Sequence, residues 1–284
     1  MGDVEEIRKV IKDLCLELNE MNDEDKPVIE IYKGATGSAA GLPFEIWFKE
    51  ILSRRIKYEI FERLEFMRYI VENYLLEKTS LKEFCKNVWY GEAQQFTRNA
   101  IARIKKGKEP KLQQTLGDII LKYGKDLNDV ILLNVKATEI DENGKPVGRA
   151  PNIVSAYRLL KFLANVYKKI GLIDKINVWL VGFYYLPIEG NRVQIRKCYF
   201  RDLFKLDLNK APPINFDAAI QIQWHLNEMV EDENQTLDKF AIDLGKKYLR
   251  EWENFREKRD EKIKKVIDEL FKAIEMSRKQ RTLL

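Results

Sequence analysis

Histidine is nearly missing from this chain: one residue, His225, in 284. A His-rich metal site is thereby excluded, and a Ser-His-Asp triad has a single candidate. His225 reads as a structural residue rather than a catalyst. Cysteine is also scarce. Cys15, Cys85 and Cys198 are scattered without CxxC spacing, which argues against a zinc site and for reduced thiols in a cytosol. No apolar run approaches the length of a membrane span. The N-terminal stretch "MGDVEEIRKVIKDL" is charged throughout, unlike a signal peptide. These absences lead to the expectation of a cytoplasmic protein with no membrane partner. Repeats, low-complexity tracts and long linkers are lacking too. What is present is 45% hydrophobic and 33% charged residues, the balance of a folded chain long enough to bury a core. The net charge of +5 is compatible with a nucleic-acid partner, but many enzymes share it.

Apolar positions Val4, Ile7, Ile11, Leu14 and Leu18 predict a helix over 3–20. "KGATGSAAGLP" (33–43) reads as a loop, and Pro43 opens a helix with Phe44, Trp47, Phe48 and Ile51 on one face. Residues 56–77 and 80–105 read as helices, followed by a basic break, "KKGKEPK" (105–111). The period then changes. "DIILKY" (118–123) and "DVILLNVKAT" (129–138), joined through "GKDLN", predict a β-hairpin. Asn152 is expected to cap a helix running to about Ile170. "INVWLVGFYYL" (176–186) and "VQIRKCYF" (193–200) read as two more strands. The segment from Phe216 to Met229 fits a short helix or a strand, and 236–281 fits one or two long charged helices. The plan is one α/β domain with a mixed sheet.

The central hairpin carries the chemistry. Asp118 opens its first strand, and Asn134, Val135 and Lys136 lie toward the end of its second. Side chains at i and i+2 share a face, so Asn134 and Lys136 point the same way while Val135 points into the core. With an acid at 134 these residues would form a phosphodiesterase kit. Mg²⁺ takes hard oxygen ligands, including one or two carboxylates. It polarises the phosphoryl group and acidifies bound water, and a neighbouring lysine stabilises charge growing on phosphorus oxygens. An ordinary strand end with a polar residue and a lysine, preceded by a turn aspartate, would look the same.

Three further stretches bear on that choice. "GSAAGLPFE" (37–45), "RAPNIVSAYRL" (149–159) and "INFDAAIQIQWH" (214–225) resemble, in order and spacing, segments of the HincII/HindII-type restriction endonucleases. The likeness runs from about residue 33 to about residue 255. The resemblance implies a restriction-endonuclease-like PD-(D/E)xK fold: a central mixed β-sheet flanked by helices, with long helical additions. It implies a single domain over 1–284, with a helical N-terminal part (about 1–110), a catalytic α/β core (about 111–230) and C-terminal helices (about 236–281). It also implies a homodimer that uses Mg²⁺, with Mn²⁺ as a substitute, to cut double-stranded DNA bluntly at a short palindrome of GTYRAC or GTNNAC type.

Carried over by position, Asp118 matches the first metal carboxylate, Lys136 the catalytic lysine, and Val135 offers its carbonyl to the metal. Asn134 falls where the family has its second carboxylate. An amide oxygen can coordinate but carries no full charge, so weak metal binding and weakened or abolished cleavage are expected. Glu45 is expected either to support the metal site from behind or to be an ordinary helix-face residue. For DNA, the resemblance assigns Arg149, Ala150, Asn152 and Asn215 to base or groove contacts. Lys33 and Ser38 lie in a loop that approaches phosphate. Asn suits purine edges because it presents a donor and an acceptor together. Arg149 stands where the family inserts a glutamine. Residues 1–30 and 56–105 are candidates for the dimer interface. Two alternatives remain open at this point: a sequence-specific DNA-binding protein that does not cut, and a repair or junction nuclease of the same superfamily.

Overall fold

A computed structural model describes residues 2–31, 38–70, 117–168, 175–217 and 220–282. The elements in chain order begin with α1 (Gly2–Glu20), β1 (Val28–Glu30), α2 (Ser38–Arg55), β2 (Glu59–Glu62) and α3 (Arg63–Ile70). They continue with β3 (Ile119–Lys122), β4 (Val130–Glu139), β5 (Asn152–Ser155) and α4 (Ala156–Tyr167). Next come β6 (Ile176–Pro187), β7 (Arg192–Asp202), a 3₁₀ turn at Leu203–Lys205, β8 (Gln221–Gln223) and α5 (Leu237–Thr282).

The main sheet has six strands in the order β1-β7-β6-β4-β3-β2. β4 and β6 run parallel, and the other neighbours are antiparallel. The sheet is therefore mixed and flanked by helices, as expected. β4 lies in its interior with both faces covered, which is why its first four residues are all apolar. Ile131, Leu133 and Val135 pack among residues of α1 and α2, whereas Val130 and Leu132 pack with residues of α3, α4 and the start of α5. Alternation along the strand then gives Asn134 and Lys136 the α4 side. No helix among the described residues is long and apolar enough to cross a membrane.

Several local expectations give way to tertiary context. Pro43 lies inside α2 instead of opening it. Ser38, Ala39 and Ala40 extend the helix upstream, and alanine is the best helix former. Residues 59–62 form β2 rather than helix because "EIFE" pairs with β3, Ile60 facing Leu121. The stretch expected to be helical thus also supplies both edge strands. Asn152 does not cap a helix. It opens β5, whose β-branched Ile153 and Val154 suit a strand, and the cap of α4 is Ser155. The undecided segment after Phe216 contains β8, paired with β5. The C-terminal region is one helix of 46 residues.

The cysteine expectation is corrected as well. Cys15 of α1 and Cys198 of β7 form a disulfide across a separation of 183 residues, where sequence spacing carries no signal. The expected helix at 80–105, the break at 105–111, Lys33 and Cys85 lie outside the described residues.

Candidate active site

The hairpin of β3 and β4 brings Asp118 and Lys136 together. Asp118 sits immediately before β3, and its N–H donates to the Leu133 carbonyl at 2.7 Å. The ladder with β4 begins one residue later, where Ile119 pairs with Leu133. The Asp118 carboxylate thus lies at the end of the ladder. There Oδ2 accepts from the Val135 N–H at 2.8 Å and from Lys136 Nζ at 3.2 Å. On a strand, one residue's N–H and C=O face the same neighbour. The Val135 carbonyl therefore turns toward the Asp118 side as well, while its side chain is buried in the core. Asn134 is buried at 6% exposure on the same strand face as Lys136.

Two residues from the N-terminal elements complete the cluster. Glu45 comes from α2. Arg63, at the β2–α3 junction, donates through Nη2 to Asp118 Oδ1 and lies 3.5 and 3.4 Å from the Glu45 carboxylate oxygens. The junction itself is tied to α2: Lys49 Nζ pairs with Glu62 at 3.1 Å and Glu65 at 2.7 Å. Leu42, Glu45, Ile46, Arg63 and Asp118 line a cavity of about 250 Å³. Burial pushes the Glu45 carboxyl up to about 7. The negative charge of Asp118 adds to the rise, and Arg63 and Lys136 oppose it. The sequence leaves Glu45 open between a supporting residue and an ordinary helix-face glutamate, and the structure places it beside Arg63 and in the same cavity lining as Asp118. Arg63 is not singled out by the sequence, since an arginine between a strand and a helix belongs to no motif.

The oxygens brought together here are those of the Asp118 and Glu45 carboxylates, with the Val135 carbonyl on the Asp118 side, and Asn134 adds an amide on the strand face of Lys136. All are hard donors of the type that Mg²⁺ and Mn²⁺ accept. Among the described residues no group of three His, Cys, Asp or Glu is placed to hold a metal. A bound cation would thus rest on few charges, which suits an ion that retains water and takes further oxygens from its substrate. The site fits the metal by donor type.

A second constellation lies on the β5–β8 ribbon. Asn152 is the Cα partner of Gln223, and Asn215 Nδ2 donates to Gln223 Oε1 at 3.2 Å. Asn152 and Asn215, distant in sequence, therefore meet around Gln223, a residue not singled out beforehand. Gln221 shares the face of Gln223 and bonds through its backbone to Asn215 at 2.8 and 3.1 Å. The Asn152 Oδ1 is buried with no hydrogen-bond partner among the described residues.

The loop carrying Asn215 is fastened from α5. Lys247 Nζ donates to the Ala211 carbonyl at 3.0 Å, Glu251 accepts from the Ile214 N–H at 2.6 Å, and the two side chains pair at 2.7 Å. Leu226, just after β8, presses on Gly182 of β6, where an added Cβ would meet its Cδ2 at 2.5 Å. Gly182 is the register partner of Lys136, so the segment that follows the ribbon packs on the strand next to Lys136. Arg149 is exposed and Ala150 half-buried in the loop before β5, and Ser38 begins α2. His225 lies in the segment after β8, and no bond connects it to the Asp118 cluster among those of the described residues.

The family model for restriction endonuclease HincII matches residues 25–276. The type II restriction enzyme HincII of Haemophilus influenzae is 25% identical over 241 residues, 79% of this chain and 83% of that protein. The type II restriction enzyme HindII of Haemophilus influenzae strain Rd is 24% identical over 236 residues, with the same two coverages. Among solved structures, NlaIV restriction endonuclease aligns with a TM-score of 0.37 at 11% identity, over 88% of this chain and 89% of that one. With most of its length matched by that family model, the chain belongs to the HincII restriction endonuclease family.

Proposed function

We propose that this chain is a type II site-specific deoxyribonuclease, folded as a single domain over residues 1–284. It acts as a homodimer in the cytoplasm and hydrolyses both strands of double-stranded DNA within a palindrome of GTYRAC or GTNNAC type, leaving blunt ends. Its cofactor is Mg²⁺, with Mn²⁺ as a substitute. The observation that carries the reading is the meeting of Asp118 and Lys136, with Nζ 3.2 Å from Oδ2, at the end of adjacent strands in a chain of this family.

Asp118, the Asn134 amide and the Val135 carbonyl would hold the metal, with Glu45 adjoining. Bound there, the metal supplies Lewis acidity and a water of lowered pKa. The chain's own part falls to its side chains. Lys136, partly exposed, orients the attacking water and stabilises the charge that grows on the phosphorus oxygens. Asn152 and Asn215, joined through Gln223, read base edges with paired donors and acceptors. Arg149, Lys33 and Ser38 contact the groove and its phosphates, which position the protein without specifying sequence. A two-fold palindrome is most simply read by a two-fold protein.

Asn134 weakens this site. It withholds one of the two anions that balance a divalent cation in the family, so cleavage falls by orders of magnitude while DNA binding persists. The same residue favours a second reading, in which the chain binds its sequence without cutting. Plasmid digestion in Mg²⁺ and in Mn²⁺, run beside gel shifts on duplexes containing GTNNAC, separates the two. The nuclease reading expects specific binding, slow cleavage, and faster cleavage by Asn134→Asp. Unchanged cleavage in Asn134→Asp would remove residue 134 from the metal site. Binding with no cutting by either protein in either metal would favour the second reading.

A further inference from the structure

Arg63 is the one charged residue of the acidic cluster that the nuclease reading leaves without a task. One nitrogen of its guanidinium reaches Asp118 Oδ1 on one side and both Glu45 oxygens, at 3.4 and 3.5 Å, on the other. These two carboxylates come from different elements, α2 and the start of β3. A cation bridging two carboxylates at the mouth of a cavity stands where a divalent ion would stand. Lys136 does not compete for this place, because its ammonium sits on the other Asp118 oxygen.

The two cations present at least offset the two carboxyl groups. Asp118 and Glu45 face Arg63 and Lys136, and Asn134 contributes no charge. The cluster therefore has little net attraction for a further dication while the guanidinium remains in place. Nor is Arg63 loosely held, since Lys49 clamps Glu62 and Glu65 on either side of it. The Arg63 side chain is 27% exposed, so it lies at the surface of the cleft and has room to move.

We propose that Arg63 is a resident counter-ion of the metal site, one that a divalent cation must displace from Asp118 in order to bind. This rests on the reading of Asp118 as a metal ligand. Arg63 and Asn134 then act in the same direction, both lowering the affinity of the DNA-free protein for metal. The arginine sets a threshold that entry of metal and anionic DNA together would overcome.

The test is a Mn²⁺ titration of the full chain without DNA, following free Mn²⁺ by electron paramagnetic resonance, with thermal melts to verify folding. Arg63→Gln removes the charge and should bind Mn²⁺ about tenfold or more tightly than the wild type, the worth of one charge-assisted hydrogen bond. Arg63→Lys keeps a charge but replaces the guanidinium nitrogen that meets both carboxylates with a compact ammonium on a different stem. It should bind with intermediate affinity, and it serves as the test if the glutamine variant does not fold. Asn134→Asp, with Arg63 intact, should also bind more tightly. Gain in Asn134→Asp with none in either Arg63 variant would overturn the counter-ion role and leave the metal site standing. No gain in any of the three would instead sink the site assignment itself, and the Arg63 proposal with it.

Discussion

Replacing Glu45 with glutamine should make the metal-free protein more stable at alkaline pH and leave it unchanged in acid. The Glu45 carboxyl titrates at about 7 instead of its ordinary 4.5, chiefly because it is buried and next because Asp118 repels a second negative charge. A group whose pKa is raised by folding binds its proton more tightly in the native state. Its favourable contribution is complete below the unfolded value of 4.5 and is lost as pH climbs through about 7. That interval corresponds to about 3 kcal/mol at full burial. The side chain keeps 17% exposure, so solvent screening reduces the expected cost to about 1–3 kcal/mol. Glutamine cannot ionise and escapes this cost. Urea unfolding followed by tryptophan fluorescence in EDTA, from about pH 4 to about pH 8.5, gives the two midpoints. The curves should coincide at the acid end and separate steadily above about pH 5, with the variant the more stable. If the variant is instead weaker at every pH, with a constant gap, then the pairing with Arg63 outweighs burial and Glu45 is ionised throughout. The charge balance on which the resident counter-ion rests would be strengthened, and the pH argument would be wrong.

Other substitutions test the supports of the two constellations. Lys247→Met leaves Glu251 without its partner and the Ala211 carbonyl without a donor. It should cost about 2–4 kcal/mol in urea unfolding; stability equal to wild type would show that α5 does not fasten the Asn215 loop. Gly182→Ala places a methyl group against Leu226 and should cost about 1–3 kcal/mol. Adding Leu226→Ala should then cost less than it does in the wild-type background, and strict additivity in that cycle would refute the contact. Gln223→Ala removes the acceptor of the Asn215 amide. In gel shifts it should lower affinity for the cognate palindrome about tenfold while non-specific binding, carried by phosphates, stays level. An equal loss on both kinds of DNA would point to a folding defect rather than to base reading.

The elements legible in the sequence are those whose pattern is local. Periodic apolar residues outlined α1, a turn between two β-branched runs outlined the β3–β4 hairpin, a long apolar stretch outlined β6, and alternating apolar and polar residues outlined β7. Alternation alone put Asn134 and Lys136 on one face, the hairpin pattern singled out Asp118, and the motif stretches singled out Asn152 and Asn215. What only the tertiary structure decided are relations between segments far apart in the chain. Asn152 became a strand residue because Gln223 was there to pair with it. Cys15 met Cys198 because α1 packs on β7. Arg63 reached Asp118 because β2 chose β3 as its neighbour. The pKa of Glu45 belongs to the same class, since it depends on what buries the carboxyl and on which charges surround it. Periodicity and propensity act over a few residues, whereas desolvation and Coulomb forces act through space, and which residues share that space is set by the fold.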